Sequence, residues 1–259
     1  MTNNLKQTLF VGCCAHGNEQ IGLALAQKYP MGKSQNWSYQ SVICNPKAVE
    51  INQRFVEQDL NRSFPGIEGG NYEQNRAFEI VKLLQKADFI IDIHQTTAQN
   101  NDCLIVNRLS KLNNGVLQYI NIKNVIIDNF ENNKFEFNTQ TNEAGGLCLD
   151  SVFPTKSLTI EYSQNGKPNQ EFEVLEKDFI NLINQNVIYN DKEYYTFVGS
   201  MARQHFDNDQ TLINFVELTL TQKIKYKLDI SLQIYPCFIG EKSYQELYCF
   251  WLKKVKIKI

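Results

Sequence analysis

Val11-Gly12-Cys13-Cys14-Ala15-His16-Gly17-Asn18-Glu19 joins two segments of different texture. Before it, Thr8-Leu9-Phe10-Val11 is a continuous apolar run of buried-strand character. After it, Ile21-Gly22-Leu23-Ala24-Leu25-Ala26 starts a helix. His16 and Glu19 stand three residues apart at this junction, so both side chains can face one side of a turn or a first helical turn. An imidazole nitrogen and a carboxylate oxygen converging there suit a zinc ion, which needs a third protein ligand and keeps a fourth position open. The three histidines are His16, His94 and His205. His94 ends the apolar run Phe89-Ile90-Ile91-Asp92-Ile93-His94, which makes it the natural third ligand. By spacing alone, a glycine-bearing polar turn is the better reading, because His-x-x-Glu pairs arise often by chance. The rest of the chain tips the balance.

Strands alternate with helices along the first two-thirds. Tyr39 to Cys44 reads as a strand, and Lys47 to Phe55 as a short helix with Pro46 suited to its first position. A polar loop from Arg54 to Gly66 carries Arg54 and Arg62 and closes on Pro65-Gly66. Glu73 to Lys86 has helical periodicity, the strand ending at His94 follows, and Gln95-Thr96-Thr97 leaves it as loop. Leu104-Ile105-Val106 and Val125-Ile126-Ile127 are short apolar runs, and 128–146 is polar and loop-rich. Ser157 to Glu161 is a strand ending on a carboxylate, followed by a helix from Gln170 to Gln185. The pattern predicts an α/β fold with a mostly parallel or mixed sheet and helices on both faces. Ligands in such sheets bind beyond the carboxyl ends of the strands, where His16, His94 and Glu161 all fall. From about Asn190 the texture changes. Glu193 to Phe197, Leu212 to Leu220, Tyr226 to Tyr235 and Trp251 to Ile259 read as strands without long helices between them. Two domains are expected, 1–188 catalytic and 189–259 smaller and β-rich. Lys253, Lys254, Lys256 and Lys258 partly alternate with apolar residues, as on an edge strand guarded by lysines.

Composition limits the partners. With 42% hydrophobic residues, the 259-residue chain can bury a sizeable core, and a net charge of −2 leaves no electrostatic footprint for nucleic acid. No apolar run approaches a membrane span, and the N-terminus lacks the apolar core of a signal peptide. Seven scattered cysteines without a C-x-x-C pair read as reduced core residues, and a cytoplasmic location is expected.

Five segments, in order, are similar to those of the aspartoacylase/succinylglutamate desuccinylase family, zinc-dependent amidohydrolases with a carboxypeptidase-like fold. They are Gly12 to Glu19, Asn45 to Ala48, Arg54 with Asp59 to Pro65, Asp92 to Thr97, and Thr159-Ile160-Glu161. The resemblance implies roles. His16, Glu19 and His94 hold one Zn2+ per chain. Glu161 is the general base, Arg54 polarises the scissile carbonyl, and Asn61 and Arg62 hold a substrate carboxylate. Tyr244 falls where the family places a substrate-contacting tyrosine. One family feature is missing: aspartoacylase has a substrate-binding arginine shortly before the base, and here Gly145 to Ile160 offers only Lys156. Asp92 is expected to support the site from behind His94, Asp59 to orient the Asn61-Arg62 turn, and His205 to stand outside it. The expected activity is deacylation of an N-acyl amino acid by metal-activated water on a small carboxylate-bearing substrate. The alternatives are a carboxypeptidase of short peptides, or a non-catalytic metal- or ligand-binding protein on the same scaffold. Oligomeric state is left open.

Overall fold

The computed structural model describes residues 6–129, 147–205, 211–243 and 246–257. In chain order its elements are β1 (Gln7–Cys13), α1 (Gln20–Lys28), β2 (Met31–Lys33), β3 (Trp37–Ile43), α2 (Pro46–Glu50), a 3-10 turn (Leu60–Arg62) and α3 (Tyr72–Leu84). Then come β4 (Phe89–Thr96), β5 (Cys103–Val106), α4 (Lys111–Leu117), β6 (Asn124–Ile127), α5 (Leu149–Val152), β7 (Ser157–Ser163) and α6 (Pro168–Asn184). The last stretch holds β8 (Glu193–Ala202), a 3-10 turn (Arg203–His205), α7 (Leu220–Lys225), β9 (Ile234–Cys237) and β10 (Leu247–Lys254).

The strands form one sheet of order β2-β3-β1-β4-β7-β5-β6-β8-β10-β9. Its centre, β3-β1-β4-β7, is parallel. β5 lies antiparallel to β7 and parallel to β6, and β8 continues parallel to β6, so the sheet is mixed. β1, β4 and β7 are largely buried because both faces of the sheet are covered there. On β1 and β4, Leu9, Val11, Ile91 and Ile93 pack against Ile21 and Leu25 of α1 and Leu175 and Phe179 of α6. The alternate residues Phe10 and Ile90 pack on the opposite side with Ala77, Ile80 and Leu84 of α3.

Several sequence expectations need correction. The helix expected to run from Lys47 to Phe55 stops at Glu50, although Pro46 does open it and Asn45 caps it. Gln95 and Thr96 belong to β4, paired with Tyr162 and Ser163 of β7. Leu212 to Leu220 is not a strand, and Thr219 instead caps the short helix α7. Of Tyr226 to Tyr235 only the last two residues are strand, in β9. The lysine-bearing strand β10 is not an edge: it pairs with β8 on one side and β9 on the other. Lys254 is used there as a partner, 3.0 Å from Glu193 and stacked over the rings of Tyr195 and Tyr235. All seven cysteines are buried and unbridged, as expected. Among the described residues, no helix is long and apolar enough to cross a membrane.

Candidate active site

The site sits where β1, β4 and β7 end side by side. β1 turns away through Cys14, whose φ of 56° is a left-handed conformation rare outside glycine and a local strain. Gly17 follows because a Cβ there would lie 2.1 Å from the backbone of Ala48. That contact joins the His16-Gly17-Asn18-Glu19 turn to the Asn45-Pro46-Lys47-Ala48 turn, and Gly17 N–H donates to the Arg54 carbonyl. Glu19 stands at the N-cap of α1 without capping it; its side chain points into the site instead. The helix start is covered from β4, where Gln95 Oε1 accepts from Ile21 N–H.

Glu19 Oε1 lies 2.6 Å from His16 Nδ1 and 3.2 Å from His94 Nδ1. The outer nitrogens are taken from behind: His16 Nε2 is 3.1 Å from Asp59 Oδ1, and His94 Nε2 is 2.9 Å from Asp92 Oδ2. With a cation bound, ring protons on Nε2 facing Asp59 and Asp92 would leave both Nδ1 lone pairs for the ion, as carboxylate-backed ligands do at metal sites. His16, Glu19, His94 and Asp92 are nearly excluded from solvent, and Asp59 is partly buried. Burial alone would raise the Glu19 pKa, but the two imidazoles outweigh it and hold it down to about 2. Burial works against a charged His94 too, yet Asp92 and Glu19 raise its pKa well above the ordinary value.

The residues fit a divalent cation on two observations. Among the described residues, His16, Glu19 and His94 are the group of potential ligands whose donor atoms all lie within 4.8 Å of one another. Glu19 Oε2 is buried without a hydrogen-bond partner, a cost that a cation would remove. Two nitrogens and a carboxylate form a donor set suited to zinc.

Glu161 is the register partner of His94 on the neighbouring strand, so both side chains leave the same face of the sheet. Burial pushes its carboxyl up to about 7, with Glu19 and Glu241 adding to the rise and the His94 imidazole opposing it. Arg54 donates from Nε and Nη2 to Asp59 Oδ2, at 3.1 and 2.9 Å, and from Nη1 to the Ser243 hydroxyl at 2.8 Å. Asp59 is therefore the hub of the loop: it binds His16 and Arg54, and its Oδ1 accepts from Asn61 N–H. Asn61 Oδ1 accepts from Leu149 N–H at the start of α5, so its NH2 is what it has to offer a ligand. Arg62 is buried and donates to the Asn61 carbonyl and to Cys148 Sγ.

These side chains line one cleft. It includes His16, Glu19, His94, Glu161, Arg54, Asn61 and Arg62, so every sequence-predicted site residue among those described is brought together. Tyr244 lies outside the described residues. His205 is exposed and away from the cleft. Lys156 is turned elsewhere, donating to the Leu84 and Ala87 carbonyls. The sequence reading missed Asp128, Asp150, Glu241 and Ser243, which also line the cleft. Burial and the charge of Asp128 push Asp150 up to about 7. Asp128 and Asp150 sit in no recognisable motif, Glu241 and Ser243 fall in a stretch, Glu241 to Tyr248, that resembles the family only loosely, and the fold brings all four to the site.

A sequence model of the succinylglutamate desuccinylase/aspartoacylase catalytic domain matches residues 6–145, more than half of the chain. The chain belongs to this family. A rat N-acyl-aromatic-L-amino acid amidohydrolase (carboxylate-forming) is 26% identical over 94% of this chain and 89% of its own. A probable aspartoacylase of Acaryochloris marina is 35% identical over 40% of each chain. In three dimensions, murine aminoacylase 3 superposes with a TM-score of 0.68 at 20% identity, covering 99% of this chain and 98% of its own. The succinylglutamate desuccinylase of Chromobacterium violaceum has the same TM-score at 14% identity, covering 98% and 86%. As a member of the succinylglutamate desuccinylase/aspartoacylase family, the chain shares the fold of these proteins over nearly its whole length.

Proposed function

We propose that the protein is a zinc-dependent amidohydrolase that cleaves the amide bond of an N-acyl amino acid to a carboxylate and a free amine. The observation that carries this reading is the convergence, in one cleft, of a metal-type cluster, a carboxyl raised to about 7 and two arginines. His16 Nδ1, Glu19 and His94 Nδ1 would hold the ion, and the chemistry zinc supplies when bound is Lewis acidity at neutral pH. Glu161 takes a proton from the attacking water and passes it to the leaving amine, for which a pKa near the working pH is suited. The Arg54 guanidinium donates to the carbonyl oxygen as negative charge develops on it. Arg62 and Asn61 hold the substrate carboxylate by charge-assisted hydrogen bonds. Tyr244, next in sequence to Ser243, is proposed as a further substrate contact. Residues 189–259 are proposed as a smaller unit that contributes Glu241 and Ser243 to the cleft.

The substrate's own side chain is proposed to be something other than a second carboxylate. Among the described residues lining the cleft, the cations apart from the two histidines are Arg54 and Arg62, while Asp128 and Asp150 are acidic. Ile105 and Phe238 add apolar wall. A purely binding role is disfavoured by the presence of the proposed base and Arg54 beside the metal-type cluster.

The test is a screen of N-acyl amino acids for amine release, each paired with its α-carboxamide analogue, in wild type and Arg62→Ala. Wild type should prefer the free acid, and the variant should mainly raise KM for it by about 10–150-fold, the weight of a charged hydrogen bond. Equal use of acid and amide by wild type would remove the carboxylate anchor, and with it the proposed substrate class.

A further inference from the structure

Arg54 is gripped from two sides of the fold. Asp59, on the loop after α2, binds Nε and Nη2. Nη1 reaches across to Ser243, 189 residues later in sequence. A guanidinium can only donate, so the Ser243 oxygen accepts from it and the hydroxyl proton is left for Glu241 Oε1, 2.7 Å away. Glu241 also accepts from Ser243 N–H at 3.0 Å. Its second oxygen accepts from the Thr96 hydroxyl and from the backbone N–H of Thr97 and Ala98. Glu241 is buried, and although burial raises its pKa, these donors outweigh it and keep the carboxyl lower than usual. An ionised, fully engaged carboxylate thus fixes the rotamer of Ser243 and anchors it to the end of β4, the strand that carries His94.

We infer that Ser243, oriented by Glu241, is a positioning residue that sets the angle of the Arg54 guanidinium toward the scissile carbonyl. This inference rests on the role proposed above for Arg54. Asp59 holds the Nε and Nη2 edge of the guanidinium, and Ser243 adds a restraint at Nη1 from another part of the fold. A donor aimed in advance loses less when charge develops on the substrate. Ser243 touches no reacting atom; it acts through Arg54.

The experiment uses the full-length, metal-loaded enzyme. Ser243→Ala should lower kcat about 5–30-fold with KM changed less than about 3-fold, the pattern of an interaction lost mainly in the transition state. Ser243→Thr, which keeps the hydroxyl, should recover most of the loss. In an Arg54→Ala background the serine substitution should add less than about 2-fold, because residues that act as a unit are not additive. Wild-type kcat in Ser243→Ala, or losses that multiply with those of Arg54→Ala, would overturn the inference. A second readout does not depend on finding a substrate. The Arg54 guanidinium N–H resonances should show slow rotation about Cζ–Nη in wild type and in Ser243→Thr, and faster rotation in Ser243→Ala. Unchanged rotation in Ser243→Ala would overturn the positioning role, whereas an enzyme with no N-acyl substrate but with this spectral change would overturn the assigned reaction instead.

Discussion

Glu161 and Asp150 are both acids pushed up to about 7 by burial, and they do different things. Glu161 stands beside the ligand cluster, where a proton carrier is needed. Glu161→Gln should keep the fold and the metal but lose about 10²–10⁴-fold in kcat, the usual weight of a general base. A variant with near-wild-type kcat would remove it from that role. Asp150 is a buried acid without a motif, and its signature should be in stability. Its folded pKa of about 7 lies above the ordinary 3.8, so the unfolded chain ionises first. The stability it contributes is complete below about pH 4, falls as pH rises toward 7, and is gone above that. Asp150→Asn removes this dependence, so the variant should gain on wild type between pH 4 and 7 by roughly 2–4 kcal/mol. Chemical denaturation of both proteins at pH 5 and pH 8 would measure it, and an equal gap at the two pH values would contradict the assignment. At this scale the convergence of His16, Glu19, His94 and Glu161 was legible in the sequence, because strand-end polar residues stand out against apolar runs. Asp150, Glu241 and Ser243 were not, because the residues that tie them to the site, Asp128, Thr96 and Arg54, lie 22, 145 and 189 residues away in sequence.

The loop between α2 and α3 carries Arg54, Asp59, Asn61 and Arg62, and it has little regular structure of its own. Buried Glu73, in the first turn of α3, accepts from the backbone N–H of Val56, Glu57 and Gln58 and from Asn45 Nδ2. One carboxylate therefore moulds the loop and ties it to the cap of α2. Glu73→Ala should cost about 2–4 kcal/mol, since several donors lose a charged acceptor at once, and should raise KM together with the loss of stability as Arg62 loses its placement. A variant that binds substrate normally would show that the loop holds its shape without Glu73. Sequence periodicity located α3 but not this device, because a buried Glu at the start of a helix looks like an ordinary dipole-favoured acid. The same limit explains α7. The residues 212–220 are apolar enough to resemble a strand, yet Thr219 and Gln222 form a capping box that starts a helix instead.

The parallel core of the molecule was legible because β1, β4 and β7 carry buried apolar runs and alternate with amphipathic helices. The far end of the sheet was less so. Which strand is an edge depends on strand order, and β10 lies between β8 and β9, so Lys254 stacks and pairs instead of guarding an edge. That end of the molecule brings Glu241 and Ser243 back to a centre built from the first 161 residues. The whole arrangement has one purpose in this account: to hold an ion between His16, Glu19 and His94 and set the other groups around it. The most direct test strips the purified enzyme with a chelator and returns zinc in steps while amine release from an N-acyl amino acid is followed. Activity should vanish on stripping, rise in proportion to added zinc and level off at about one equivalent per chain, as one three-ligand site requires; activity that survives in the metal-free protein would contradict the account.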